Sequence, residues 1–169
     1  MVVSRGKPAG KTVKQTASME IEMDRPAVVA LFEDRSRYGD WQAPFLGEEP
    51  LEGTPGEAKA RCELKYTSGT KELVVTETVI ENSLPDRYRA QYVGLWGSAD
   101  VMHRFQALSD GRTRWVVDVD FRGKGILGLI MRFMPGILRG LIQQMLLGFK
   151  TYAESQMHGG PGPKPSLRR

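Results

Sequence analysis

His103 and Tyr88 are the side chains best suited to chemistry in this sequence, provided the backbone sets them side by side. Counting across the turn at Asp110-Gly111 places His103 near Val117, and counting across Gly94 to Gly97 places it near Tyr88. An imidazole beside a phenol can take and return protons, which is what enolisation of a carbonyl compound requires. The competing expectation, which we prefer, is a buried neutral histidine whose hydrogen-bonding needs are met by Tyr88. Glu77 is the third candidate, and its position turns on the register of one strand. If Leu73, Val75 and Val79 face inward, Glu77 goes with them into a desolvated setting; if Val74, Thr76, Thr78 and Ile80 do, Glu77 is an ordinary surface carboxylate. Carboxylates are seldom buried, so the surface position is the expected one.

Asp100, Asp118 and Asp120 would fall on neighbouring strands, as metal-binding carboxylates can. Alternation sets them on an outer face among Arg87, Arg89, Arg104, Arg114 and Arg122, where cross-strand charge pairs account for them. No His or Cys joins them, so no metal is expected. No phosphate loop, nucleophile elbow or dinucleotide fingerprint occurs, and no cofactor is expected; Gly123-Lys124-Gly125 reads as a hinge.

The elements that must position these residues follow from periodicity. From Thr12 to Asp24, Val13, Gln15, Ala17, Met19, Ile21 and Met23 alternate with polar residues as a half-buried first strand. Asp24 can cap a short helix that accepts Pro26 in its first turn, with Val28, Val29, Leu31 and Phe32 as its apolar side, and a second short helix carries Tyr38 to Trp41. Six more strands follow, over Phe45 to Glu52, Ala58 to Tyr66, Leu73 to Ile80, Arg87 to Tyr92, Ala99 to Gln106 and Arg114 to Phe121, most of them separated by short Gly, Pro, Asn or Asp turns. Such spacing predicts an antiparallel meander that curls. Trp115 lies on an inner strand as core, and Trp96 sits at a loop tip that could shield a cavity mouth.

From Lys124 to Gln156 the pattern predicts one long amphipathic helix closing that sheet. Leu127, Ile130, Met134, Ile137, Leu138, Leu141, Met145 and Tyr152 fall on its inward side, opposite Arg132, Arg139, Gln143 and Lys150. Pro135 should kink it, and Gly136 and Gly140 leave room for another backbone or a ligand. Leu129, Leu146 and Leu147 stray toward the charged side, pointing to a homodimer surface or to peripheral contact with a membrane. The arginine stripe argues against a membrane span.

The chain has 169 residues, a net charge of +4 and 40% apolar residues, which suits one domain with a sizeable core. Arg5, Lys7, Lys11 and Lys14 at the front and Lys164, Arg168 and Arg169 at the back are unaccompanied by acidic residues. Without these seven, 17 basic residues face 20 acidic ones, so the body of the chain gives no reason to expect nucleic acid as a partner. Residues 1–11 and 158–169 are expected to be disordered basic tails around a domain at 12–157. Cys62 has no disulfide partner, no export signal is visible, and a cytoplasmic location is expected.

The order strand, two short helices, six strands, long helix resembles the START-like or SRPBCC superfamily, whose members share the helix-grip fold. Met23-Asp24-Arg25-Pro26, Leu31-Phe32-Glu33-Asp34, Tyr38-Gly39-Asp40-Trp41, Gly53-Thr54-Pro55-Gly56, Leu84-Pro85-Asp86-Arg87 and Phe149-Lys150 carry the likeness. The resemblance implies an α+β fold, with a seven-stranded curved antiparallel sheet wrapped around a long C-terminal helix and two short helices after the first strand. It is specific for fold; activity ranges from polyketide cyclisation to carriage of lipids or quinones.

The expected function is binding or transport of a hydrophobic small molecule, such as a lipid, isoprenoid or polyketide-like aromatic, in the space between sheet and helix. Its walls are expected to come from Tyr66, Tyr88, Tyr92, Val101, His103, Phe105, Trp115, Val117, Val119, Ile130, Met134, Ile137 and Leu141. His103 or one of the three tyrosines would orient a polar end. The alternatives are a cyclase using His103 with Tyr88 or Glu77, and an interaction module whose cavity is filled by its own side chains.

Overall fold

Seven strands form one antiparallel sheet in the computed structural model, which describes residues 12–42 and 44–157. In chain order the elements are β1 (Val13–Ile21), α1 (Arg25–Glu33), a 3-10 turn (Arg35–Arg37), α2 (Tyr38–Trp41), β2 (Phe45–Glu52), β3 (Arg61–Ser68), β4 (Lys71–Ser83), β5 (Arg87–Gly94), β6 (Gly97–Ala107), β7 (Thr113–Gly123), α3 (Gly125–Phe133) and α4 (Pro135–Met157). The spatial order is β1-β7-β6-β5-β4-β3-β2, so β1 and β2 are the two edges and α1 and α2 carry the chain from one edge to the other. This is the α+β helix-grip architecture expected from the sequence. The segments read as terminal basic tails lie outside the described residues.

Local chemistry explains the turns between elements. Asp24 caps α1 by accepting the backbone N–H of Ala27 at 2.9 Å, with Pro26 in the first turn where a missing N–H costs nothing. Val28, Val29 and Phe32 are thereby aimed into the core. Register shifts in β2 and between Val79 and Glu81 of β4 bend the sheet around its concave face.

Phe32 is the centre of the core. Its ring lies 5.1 to 5.6 Å from those of Tyr88, His103, Phe105 and Trp115, and Trp115 in turn packs edge-on against Phe149 of α4 at 4.9 Å. Aromatic contacts therefore join α1, the sheet and α4 in one cluster. Lys150 ties the same helix to β1 through the carbonyl of Glu20 at 2.8 Å.

The C-terminal region departs from the expected single helix. It is two helices broken at Met134, whose N–H still bonds the carbonyl of Ile130 before Pro135 opens α4. Proline has no N–H to continue the ladder, so the break falls where the ring stands. The buried stripe of α4 is Leu138, Ile142, Leu146, Phe149, Tyr152 and Ala153. Leu146, expected toward water, is fully buried, whereas Ile130, Met134 and Ile137, expected inside, are exposed. A side chain at Gly136 or Gly140 would meet open space; the close approach is at Gly148, where a Cβ would come 2.6 Å from the carbonyl oxygen of Trp41. No described helix is long and apolar enough to cross a membrane.

Candidate functional site

A cavity of about 520 Å³ lies between the concave face of the sheet, α2 and the middle of α4. Alternation along β6 and β7 sends Ala99, Val101, His103, Val117 and Val119 to its floor. β3 to β5 add Leu64, Tyr66, Leu73, Val75 and Tyr92, and Tyr38, Trp41, Ile142 and Met145 close the helical side. Ser68 and Leu141 both line the space and are exposed, which puts them at its rim. Its size and largely apolar walls fit a small-molecule site.

His103 pairs in register with Tyr88 on one side and Val117 on the other, as counted from the sequence. The imidazole is nevertheless satisfied by a different neighbour: Trp115 Nε1 donates to His103 Nδ1 at 3.2 Å. Burial pulls the pKa of His103 down to about 3, so the ring is neutral at ordinary pH. With Nδ1 accepting, the hydrogen of the neutral ring sits on Nε2, which has no protein acceptor among the described residues. What His103 offers the cavity is a hydrogen-bond donor.

Tyr88 does not serve His103 as acid or base partner. The two ring centres are 6.0 Å apart, and the Tyr88 hydroxyl donates instead to Glu77 Oε1 at 3.4 Å. Glu77 corrects the surface expectation: it is 1% exposed on the inner face of β4, in line with Val75 and Val79. Its Oε1 also accepts from Tyr92 at 3.0 Å, and its Oε2 lies 2.6 Å from Nη2 of Arg35. Arg35 is shared with Glu48, its Nε bonding Oε2 at 2.8 Å, and its guanidinium stacks 5.0 Å from the centre of the Tyr38 ring. A buried carboxylate without such partners would be strongly destabilising; here one cation and two phenols compensate it.

The network also fixes the charge of the polar groups in and behind the cavity wall. Burial first, and the negative charge of Glu77 next, push the phenols of Tyr66, Tyr88 and Tyr92 above the ordinary tyrosine range. Burial works against the charge on Arg35, but Tyr38, Glu77 and Glu48 together outweigh it and hold the guanidinium protonated. Tyr66 gives its hydrogen to Gln42 Oε1 at 3.1 Å. The groups of this network thus spend their hydrogen bonds on one another, and Tyr66 spends its own on Gln42.

Of the wall residues expected from sequence, Tyr66, Tyr92, Val101, His103, Val117, Val119 and Leu141 line this cavity. Tyr88, Phe105 and Trp115 belong to the aromatic core beneath it, and Ile130, Met134 and Ile137 lie on the outer surface. Leu64 was signalled by its alternation with Tyr66, and Ile142 by its spacing from Leu138. Arg35 carried no signal, because it stands in the charged run Arg35-Ser36-Arg37 and its partner is 42 residues away. Trp96 also lines the cavity, stacked on Phe121 at 5.5 Å. The three aspartates are on the outer face, Asp100 with Arg89 at 2.7 Å, Asp118 with Arg104 and Thr16, and Asp120 with Lys14 at 3.5 Å.

The sequence matches the family described as polyketide cyclase / dehydrase and lipid transport over residues 12–154. No curated protein matches it significantly. Among solved structures it is similar to the Zhui aromatase/cyclase from Streptomyces sp. R1128, with a TM-score of 0.73 at 14% identity over 90% of this chain and 100% of that one. A START superfamily protein from Mycobacterium smegmatis aligns with a TM-score of 0.60 at 13% identity over 79% of this chain and 94% of the other. The protein Ara h 8.0201 gives 0.69 at 12% identity over 86% and 99%. At these identities the likeness is one of fold.

Proposed function

This chain belongs to the polyketide cyclase/dehydrase and lipid transport family, and on that premise we propose that its cavity binds and carries a neutral hydrophobic small molecule bearing a hydrogen-bond acceptor. The observation that carries the reading is the state of the cavity wall: a largely apolar surface around about 520 Å³, with uncommitted N–H donors on two of its lining side chains, His103 Nε2 and Trp41 Nε1. Burying apolar ligand surface at about 25 cal/mol per Å² supplies affinity, and a carbonyl or ether oxygen on His103 supplies orientation. A carboxylate ligand finds no cation among the lining residues, and Arg35 behind them is held by Glu77 and Glu48. The open volume weighs against an interaction module with a filled interior.

Proton transfer by His103 is the weaker reading. Its Nδ1 lone pair is engaged by Trp115, its Nε2 carries a hydrogen, and burial opposes the imidazolium that a general base would form. Binding should be tested by calorimetry with three long-chain compounds of one skeleton: an alkane, a methyl ketone and a carboxylate. The ketone is expected to bind tightest and the carboxylate weakest, with the ketone's advantage over the alkane lost in His103→Phe. Tightest binding of the carboxylate, or turnover of a bound polyketide-like compound that His103→Phe abolishes, would overturn the carrier reading.

A further inference from the structure

The helix α3 shows its apolar side to water. Ile126, Leu129, Ile130 and Phe133 recur at the spacing that makes one helical face, and they are 78%, 55%, 40% and 72% exposed. Gly128 stands on the opposite side of the helix. A Cβ on Gly128 would lie 2.5 Å from the carbonyl of Gly123, so α3 is seated against the end of β7 by backbone contact. An aliphatic face normally stabilises a surface helix by being buried, and here the packing of α3 leaves that face outside. Leu95, 91% exposed, belongs to the same corner, because Lys124 N–H bonds the neighbouring carbonyl of Trp96 at 2.9 Å. Met134, Ile137 and Leu141 carry the exposed surface onward to the cavity rim.

Charge selects the partner for this surface. From Arg122 to Ala153 the chain contains Arg122, Lys124, Arg132, Arg139 and Lys150 and no Asp or Glu. Arg122, Lys124 and Arg139 are exposed and form no ion pair among the described residues. A second copy packed on a two-fold axis would set these positive charges against their own kind. An apolar face whose own segment carries basic residues and no carboxylate complements an anionic lipid surface.

We propose that α3 and the first turns of α4 dock this protein on an anionic bilayer. Ile126, Leu129 and Phe133 enter the boundary between headgroups and acyl chains, and Arg122, Lys124 and Arg139 meet the headgroups. The cavity rim at Leu141 then opens at the membrane, so an apolar ligand exchanges without crossing bulk water. The docking itself does not depend on what the cavity holds.

The test is cosedimentation of the full chain with vesicles of phosphatidylcholine, and of phosphatidylcholine mixed with phosphatidylglycerol. Binding to the mixed vesicles alone, released by high salt, is the expected result. Leu129→Asp and Ile126→Asp should each abolish it while circular dichroism stays unchanged, because both side chains are exposed. Lys124→Glu with Arg139→Glu should lower partitioning by about tenfold or more. Absence of binding, or equal binding to both vesicle types, would overturn the proposal. So would a dimer in sedimentation velocity that Leu129→Asp dissociates.

Discussion

Trp115 Nε1 donates to His103 Nδ1 across 3.2 Å, and this bond decides what the only histidine of the described residues can do. It ties up the ring nitrogen that would otherwise accept a proton and leaves the other as a donor. This is why we read a cavity that looks catalytic from its residue types as a binding surface.

The protonation of His103 sets a pH dependence. Its folded pKa, about 3 through burial, lies below the ordinary value of 6.5, so between these pH values the unfolded chain binds a proton that the folded one does not. This contribution to stability is full above pH 6.5 and falls as pH drops toward 3, by at most about 1.4 kcal/mol per pH unit. Urea unfolding of wild type and His103→Phe from pH 7 to pH 4 should show the wild type losing stability more steeply. Parallel curves would mean that His103 charges readily in the fold.

The Arg35 and Glu77 pair makes an asymmetric prediction. Glu77→Leu leaves a buried guanidinium with one carboxylate and two phenols without an acceptor, and should cost about 3–5 kcal/mol in chemical unfolding. Arg35→Met combined with Glu77→Leu should recover much of that loss, since the desolvated charges leave together. A single substitution costing under about 1 kcal/mol would show that the pair is not buried in solution.

The position of Glu77 shows where sequence reading fails. β4 carries Leu73, Val74 and Val75 in succession, so apolar residues stand on both faces and alternation names neither. The strands whose alternation is clean, β6 and β7, were legible, and with them the pairing of His103 with Tyr88 and Val117. What was missing in β4 is tertiary: the cation that makes an inward carboxylate tolerable comes from the turn after α1.

The helical region failed for another reason. A single wheel drawn from Lys124 to Gln156 runs through the break at Met134, and α3 and α4 are separate rods with separate buried sides. Leu138 and Tyr152 stayed on the inner side, while Ile130, Met134 and Ile137 did not. Leu146→Ala should therefore cost about 2–5 kcal/mol, and Ile130→Ala, at an exposed site, within about 0.5 kcal/mol. Thermal or urea unfolding of the two variants checks this, and equal losses would restore the continuous helix.

The most direct measurement of the central claim is native mass spectrometry of the purified protein, followed by denaturing extraction of anything that leaves with it. The expected result is an adduct that proves, on extraction, to be a neutral apolar molecule with at least one acceptor oxygen. A bare mass, together with a melting temperature that no neutral lipid, quinone or polyketide-like compound raises, would contradict it.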